Sequence, residues 1–107
     1  MTENVVNLLL KDGYLFIPAP VYRDAMADLR AVAVLWRSAC LHLIPLHPGS
    51  VGGFLLKRRN LAGDRVVDLR LFLREHELQE NYEGVLSFLW MPEQGAWQTM
   101  QLCPELY

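Results

Sequence analysis

The longest patterned stretch of the chain lies at residues 20–43. There Tyr22, Met26, Leu29, Ala33, Trp36, Cys40 and Leu43 follow one another at alternating spacings of four and three. That spacing draws one apolar stripe down a helix and predicts a long central helix over 20–44. Pro20 suits its first turn, where a missing N–H costs nothing. Pro45 ends it, because it has no donor and disfavours helical geometry at Ile44. The first half has a solvated side through Arg23, Asp24, Asp28 and Arg30. The second half is apolar nearly all round, interrupted by Arg37, Ser38 and His42. A helix apolar on every side needs cover on every side.

The flanking pattern divides into shorter elements. Val5, Val6, Leu9 and Leu10 form one side of an expected first helix, with Thr2 as cap, Glu3 near its positive end and Gly13 as stop. Tyr14–Ile17 reads as a short strand, and Pro18 and Pro20 keep the next residues extended. Residues 54–59 read as a strand, Ala62 and Gly63 as a turn, and 65–67 as the returning strand. Over 67–74 two periods compete. Val67, Leu69, Leu71 and Leu73 alternate as in a strand, while Leu69, Phe72, Leu73 and His76 form a helix face. The helix formers Leu, Arg and Glu decide for a helix over 68–78, capped by Asp68.

Residues 85–91, VLSFLWM, form the strongest strand pattern, followed by a PEQG loop and a return strand over 96–102. Pairing Met91 with Ala96 sets Trp90 opposite Trp97 and Phe88 opposite Thr99. Leu86, Phe88, Trp90 and Trp97 then share one face. Val85, Leu89, Met91, Met100 and Leu102 share the other, with Ser87 and Gln98 among them. A hairpin apolar on both faces needs cover on both. The expected fold is α+β, in a single domain of 1–107. An antiparallel sheet of two β-hairpins, 54–67 and 85–102, packs against the long helix, and the shorter helix joins the hairpins.

Composition changes this picture in one respect. The 107 residues are 52% hydrophobic, slightly high for a small domain. Together with the apolar helix and hairpin, that excess predicts a homo-oligomer. The formal charge of −2 argues against a general nucleic-acid surface, which is strongly basic. Eight of the ten basic residues are Arg, a bias toward forked pairing and interfaces. Two cysteines are too few for a disulfide framework. The N-terminal residues lack the basic leader and cleavage site of a secretory signal. The apolar stretch at 31–46 is too short and interrupted to span a bilayer. These features predict a soluble cytoplasmic protein with no membrane partner.

No motif for catalysis, a cofactor or a metal stands out. The glycines of HPGSVGG, residues 47–53, follow a predicted helix and lead into FLLKRR. Phosphate-cradling glycines instead follow a strand and open a helix. Cys40, His42 and His47 lack a recognised zinc spacing, and Cys40 and His42 point apart on a helix. Glu75, Glu77, Glu80 and Glu83 surround His76 in a region expected to be exposed, which suits solvation better than acid–base work. Two sets remain. Trp36, Trp90 and Trp97, with His42 as a polar group, could line a pocket for a small apolar or cationic ligand. Lys57, Arg58, Arg59 and Arg65 could contact an anion or a nucleic-acid backbone, although alternation sends Arg58 to the opposite face from Lys57 and Arg59. The leading functional expectation is a non-enzymatic interaction module acting as a homo-oligomer. The alternative is a small-molecule-binding protein or small enzyme with an aromatic-lined pocket.

Overall fold

The computed structural model describes residues 5–48, 50, 52–101 and 103–107. Its described residues form nine strands and two short α-helices. β1 (Val5–Lys11) and β2 (Tyr14–Ile17) form a hairpin. Asp12 and Gly13 turn between them, with φ of 52° and 86°. Positive φ at both loop positions matches the right-handed twist of the flanking strands, and Asp-Gly supplies it cheaply. α1 (Ala19–Ala25) follows, then β3 (Ala31–Arg37) and β4 (Cys40–Pro45). Next come β5 (Phe54–Leu55), β6 (Lys57–Arg58), β7 (Arg65–Asp68) and α2 (Arg70–Glu75). β8 (Glu83–Met91), β9 (Ala96–Thr99) and a 3-10 turn at Pro104–Leu106 complete the chain.

All strand pairs are antiparallel, in the order β5-β3-β4-β9-β8-β1-β2-β7-β6. The two outermost strands are consecutive in sequence, separated only by Leu56. On one side Leu55 pairs with Ala31, and on the other Lys57 pairs with Val66. The Leu56 N–H donates to the Arg30 carbonyl at 2.8 Å. The sheet therefore comes close to closing on itself as a barrel. Closure removes the open edges through which a flat sheet aggregates.

Side-chain alternation fills the interior. Leu8 and Leu10 of β1, Leu15 of β2, Val32 of β3, Leu41 and Leu43 of β4, Val67 of β7 and Phe88 of β8 point inward and are buried. Phe72 and Leu73 from α2 and Leu106 from the 3-10 turn join the same core.

The α+β expectation is overturned. A nearly closed antiparallel sheet replaces two hairpins packed on a long helix. Of the predicted helix 20–44, only α1 is helical. After a connecting turn at Met26 to Arg30, the rest is the β3–β4 hairpin, which turns at Ser38 and Ala39 with φ of 55° and 59°. The four-and-three spacing concealed a strand alternation: Val32, Val34 and Trp36 share the inner face with Leu41 and Leu43. The apolar character on all sides has a different cause from the one expected. Cys40, Leu41, His42 and Leu43 are all buried, so β4 is covered on both faces. The expected N-terminal helix is the strand β1, with Val6, Leu8 and Leu10 inward, and its stop at Gly13 is a hairpin turn. The caps assigned to Thr2 and Glu3 lie outside the described residues.

Other elements follow their sequence pattern. Tyr14–Ile17 is a strand. α2 is helical over Arg70–Glu75, shorter than the expected 68–78, and its N-cap position is Leu69 rather than Asp68, whose carboxylate accepts the Arg70 N–H at 3.1 Å. The last hairpin pairs Trp90 with Trp97, Phe88 with Thr99 and Met91 with Ala96. Among the described residues, no helix is long and apolar enough to cross a membrane.

Candidate functional site

Two regions of the surface depart from an ordinary solvated exterior. The first is the outer face of five adjacent strands, β3, β4, β9, β8 and β1. Register places Leu35, His42, Gln98, Leu89 and Val5 in one row across it. Val85, Met91, Ile44 and Ala33 share that face by alternation. Val85 and Met100 are 64% and 53% exposed, and Leu35 is 39% exposed. Asn7 and Ser87 lie within the same face, and the Ser87 hydroxyl donates to the Asn7 side-chain oxygen at 2.6 Å. Charge on this face is confined to its margins, at Arg37 and at the cross-strand pair Lys11 and Glu83.

His42 sits within that face, yet only 5% of it is exposed. Burial holds its pKa below the ordinary value of 6.5. A main-chain hydrogen bond involving Arg37 opposes this, and the Arg37 charge adds to the lowering. His42 is therefore neutral at pH 7 and adds no charge to the face.

The aromatic set divides. The Trp90 and Trp97 rings are 4.6 Å apart between centroids, and Trp97 packs in the core. Trp36 meets Tyr107 edge-on at 5.6 Å. His42 points to the opposite side of β4 from Leu43, the cross-strand partner of Trp97. No tryptophan and no histidine lines either of the two hollows described next.

The second region is a groove of about 880 Å³ between α1, the chain from Asp28 to Arg30, the β5–β6 segment and β7. Arg65 has the strand parity of the core residue Val67 and pairs with Ile17, so its side chain starts inward. Its guanidinium lies 4.3 Å from the centroid of the Tyr22 ring. The Tyr22 hydroxyl donates to the Leu29 carbonyl at 2.9 Å, which holds the ring in place. The Arg65 Nε is buried and has no hydrogen-bond partner among the described residues. A buried donor left so costs about 1–3 kcal/mol. Arg30 and Lys57 line the same groove, with Asp28 as its one carboxylate. Among the described residues, none of the three cations forms a salt bridge.

The four cations singled out in the sequence thus have separate surroundings. Lys57 and Arg65 share the groove. Arg58 donates to the carbonyls of Asn60 and Leu61 at 3.0 and 3.1 Å. Arg59 lies over the Phe16 ring at 4.6 Å. Sequence reading missed Tyr22, Asp28 and Arg30 as neighbours of this set. Asp28 and Arg30 showed only as charge on what passed for the solvated side of a helix, and Tyr22 only as part of its apolar stripe. The turn beside the groove is braced by Asn60, which accepts from the Gly63 and Asp64 N–H groups at 3.1 Å each. Asp64 in turn accepts the Ala19 N–H at 2.7 Å, tying the turn to α1. The bond from Asn60, then that from Ala19, keeps the Asp64 carboxyl below its ordinary pKa.

A second hollow, of about 440 Å³, is lined by Phe54, Asp68, Arg70, Leu71 and Arg74. Its cations are paired. Arg70 grips Asp68 through two nitrogens at 3.0 and 2.8 Å, and Arg74 holds Glu80 at 3.0 Å. Cys40 and Cys103 are free, buried thiols, each near the Gln101 carbonyl, at 3.9 and 3.5 Å. Burial pushes the Cys103 pKa up, so the thiol stays protonated. His76 bonds the Phe72 carbonyl at 2.9 Å and stacks on the Phe72 ring at 4.1 Å. Among the described residues, no three His, Cys, Asp or Glu side chains gather as a metal site. Comparison finds no matching family model, no matching curated protein and no matching solved structure.

Proposed function

We propose that this chain is a non-enzymatic interaction module that works as a homo-oligomer in the cytoplasm. The observation that carries the reading is the outer face of β3, β4, β9, β8 and β1. Apolar side chains from all five strands show there around the neutral polar groups of His42, Gln98, Asn7 and Ser87, while charge is confined to the margins. Exposed Val85, Met100 and Leu35 on one uncharged face support an interaction site. A second copy is the occupant argued for. An isologous contact sets each patch against itself, and a patch without central charge meets no like-charge repulsion in doing so. Strand addition is a poor alternative, because the sheet leaves little free edge. The buried thiols of Cys40 and Cys103 suit a reducing compartment.

Sedimentation or light scattering tests the proposal. A concentration-dependent dimer or larger species is expected, and Leu89→Lys should shift it to monomer without loss of the folded spectrum. A strict monomer at high micromolar concentration overturns it.

A further inference from the structure

We propose that Cys40 and Cys103 form a reversible disulfide, made by exchange with a small-molecule disulfide, that fastens the Pro104–Leu106 turn to the start of β4. This inference does not depend on the homo-oligomer. The chain has two cysteines, one in β4 and one just before the 3-10 turn, and the fold brings both to one place. The Cys103 N–H donates to the Ala39 carbonyl at 2.7 Å, which sets residue 103 against the peptide bond joining Ala39 to Cys40. A residue bonded to its partner's own peptide unit meets the Cα separation that a disulfide needs, under about 7 Å. The sulfurs converge as well. Cys40 Sγ and Cys103 Sγ approach the same Gln101 carbonyl oxygen, at 3.9 and 3.5 Å.

Both thiols are buried, so an oxidant reaches neither while the turn is seated. The turn lies outside the sheet. Gln79 holds it, its main-chain N–H donating to the Leu106 carbonyl at 2.6 Å and its side-chain amide to the Tyr107 main-chain oxygen at 2.9 Å. The buried Leu106 side chain completes the attachment. A single turn of this kind opens locally at lower cost than paired strands. Opening carries Cys103 into water and removes the burial that chiefly raises its pKa. The Cys103 thiolate then attacks the S–S bond of the oxidant. One small thiol leaves with the bonding electrons and takes up the proton that Cys103 gave up. When the turn closes, the Cys40 thiolate attacks the Cys103 sulfur of the mixed disulfide and expels the second small thiol, which takes up the Cys40 proton. Two protein thiols are oxidised, and one small disulfide is reduced to two thiols. The link closes a long loop and keeps Leu106 in the core, so the oxidised chain is the more stable. In a reducing compartment the pair rests as thiols and closes when disulfide oxidants rise.

The test incubates the reduced full chain in mixtures of reduced and oxidised glutathione, blocks the remaining thiols by alkylation, and reads the products by mass and peptide mapping. A link between Cys40 and Cys103 within one chain is expected. The exchange equilibrium should favour that link at least about tenfold more in the native chain than in the urea-unfolded chain, a potential about 30 mV lower. Cys40→Ser should stop at a mixed disulfide on Cys103. The comparison of native and unfolded chain needs no variant, so it decides even if Cys40→Ser fails to fold. Native thiols that do not exchange, links formed only between chains, mixed disulfides that never close, or equal equilibria in the native and unfolded chain overturn the proposal.

Discussion

The groove beside α1 and the hollow beside α2 both contain arginine, but they handle its charge in opposite ways. At α2, Arg70 and Arg74 each close on a carboxylate of their own segment, Asp68 and Glu80. At α1, Arg30, Lys57 and Arg65 come from three parts of the chain and line a groove whose one carboxylate is Asp28, with no salt bridge among the described residues. Local pairing at exposed positions contributes little to stability and leaves no charge available for a ligand. An arginine stacked on a ring with one buried donor unmet lowers the stability of the protein and leaves its charge without a paired carboxylate. Arginine near a hollow is therefore weak evidence for a site until its partners are known.

Four changes sharpen this contrast. The largest effect should come from Phe72→Ala, which removes the buried ring behind α2, packed edge-on against Phe54 at 6.0 Å. A loss of about 3–5 kcal/mol is expected in denaturant unfolding. Tyr22→Ala at the groove should cost less, about 1–3 kcal/mol, because the ring is only partly buried and loses one hydrogen bond besides its packing.

Arg65→Met should reverse the sign. It keeps an apolar stem of similar length and deletes the unpartnered donor, so stability should stay level or rise by about 1 kcal/mol. A clear loss of stability would mean that the guanidinium is satisfied in the empty protein.

The smallest effect is in acid. The Arg70 hydrogen bond, more than any other cause, holds the Asp68 carboxyl below its ordinary pKa of 3.8. A lowered folded pKa adds stability above that ordinary value and loses it as pH falls through the folded one. Asp68→Asn should flatten the unfolding midpoint against pH below 3.8, whereas Arg30→Ala, whose charge is not among the causes that lower the Asp68 pKa, should leave that slope unchanged. Parallel slopes in the two variants would erase the distinction between the paired and unpaired sets.

The same contrast between local and distant partners separates what the chain's pattern revealed from what it concealed. The β8–β9 register was legible because an apolar run of strand length meets a PEQG loop of fixed length. The existence of α2 was legible because the helix formers Leu, Arg and Glu act within a few residues, although its cap is Leu69 and not Asp68. Residues 20–44 misled because Ala, Leu and Arg favour helix while Ser38 and Ala39 are poor turn signals. Nothing nearby announced that β9 would pair with β4, which turns the balance to strand. The Arg65 surroundings were concealed for a related reason: Tyr22, Arg30 and Lys57 reach it only after the barrel forms.

Local residues thus settled where the last hairpin turns, how its two strands register, and that a short helix follows β7. Those choices depend on contacts a few positions apart, which a linear pattern records. The fold settled the rest: the 31–45 hairpin, the near-closure through Leu56, and the gathering of Arg30, Lys57 and Arg65 beside Tyr22. Each of these depends on partners far apart in the chain, and pairing between distant strands outweighs local helix preference once both faces of β4 are buried.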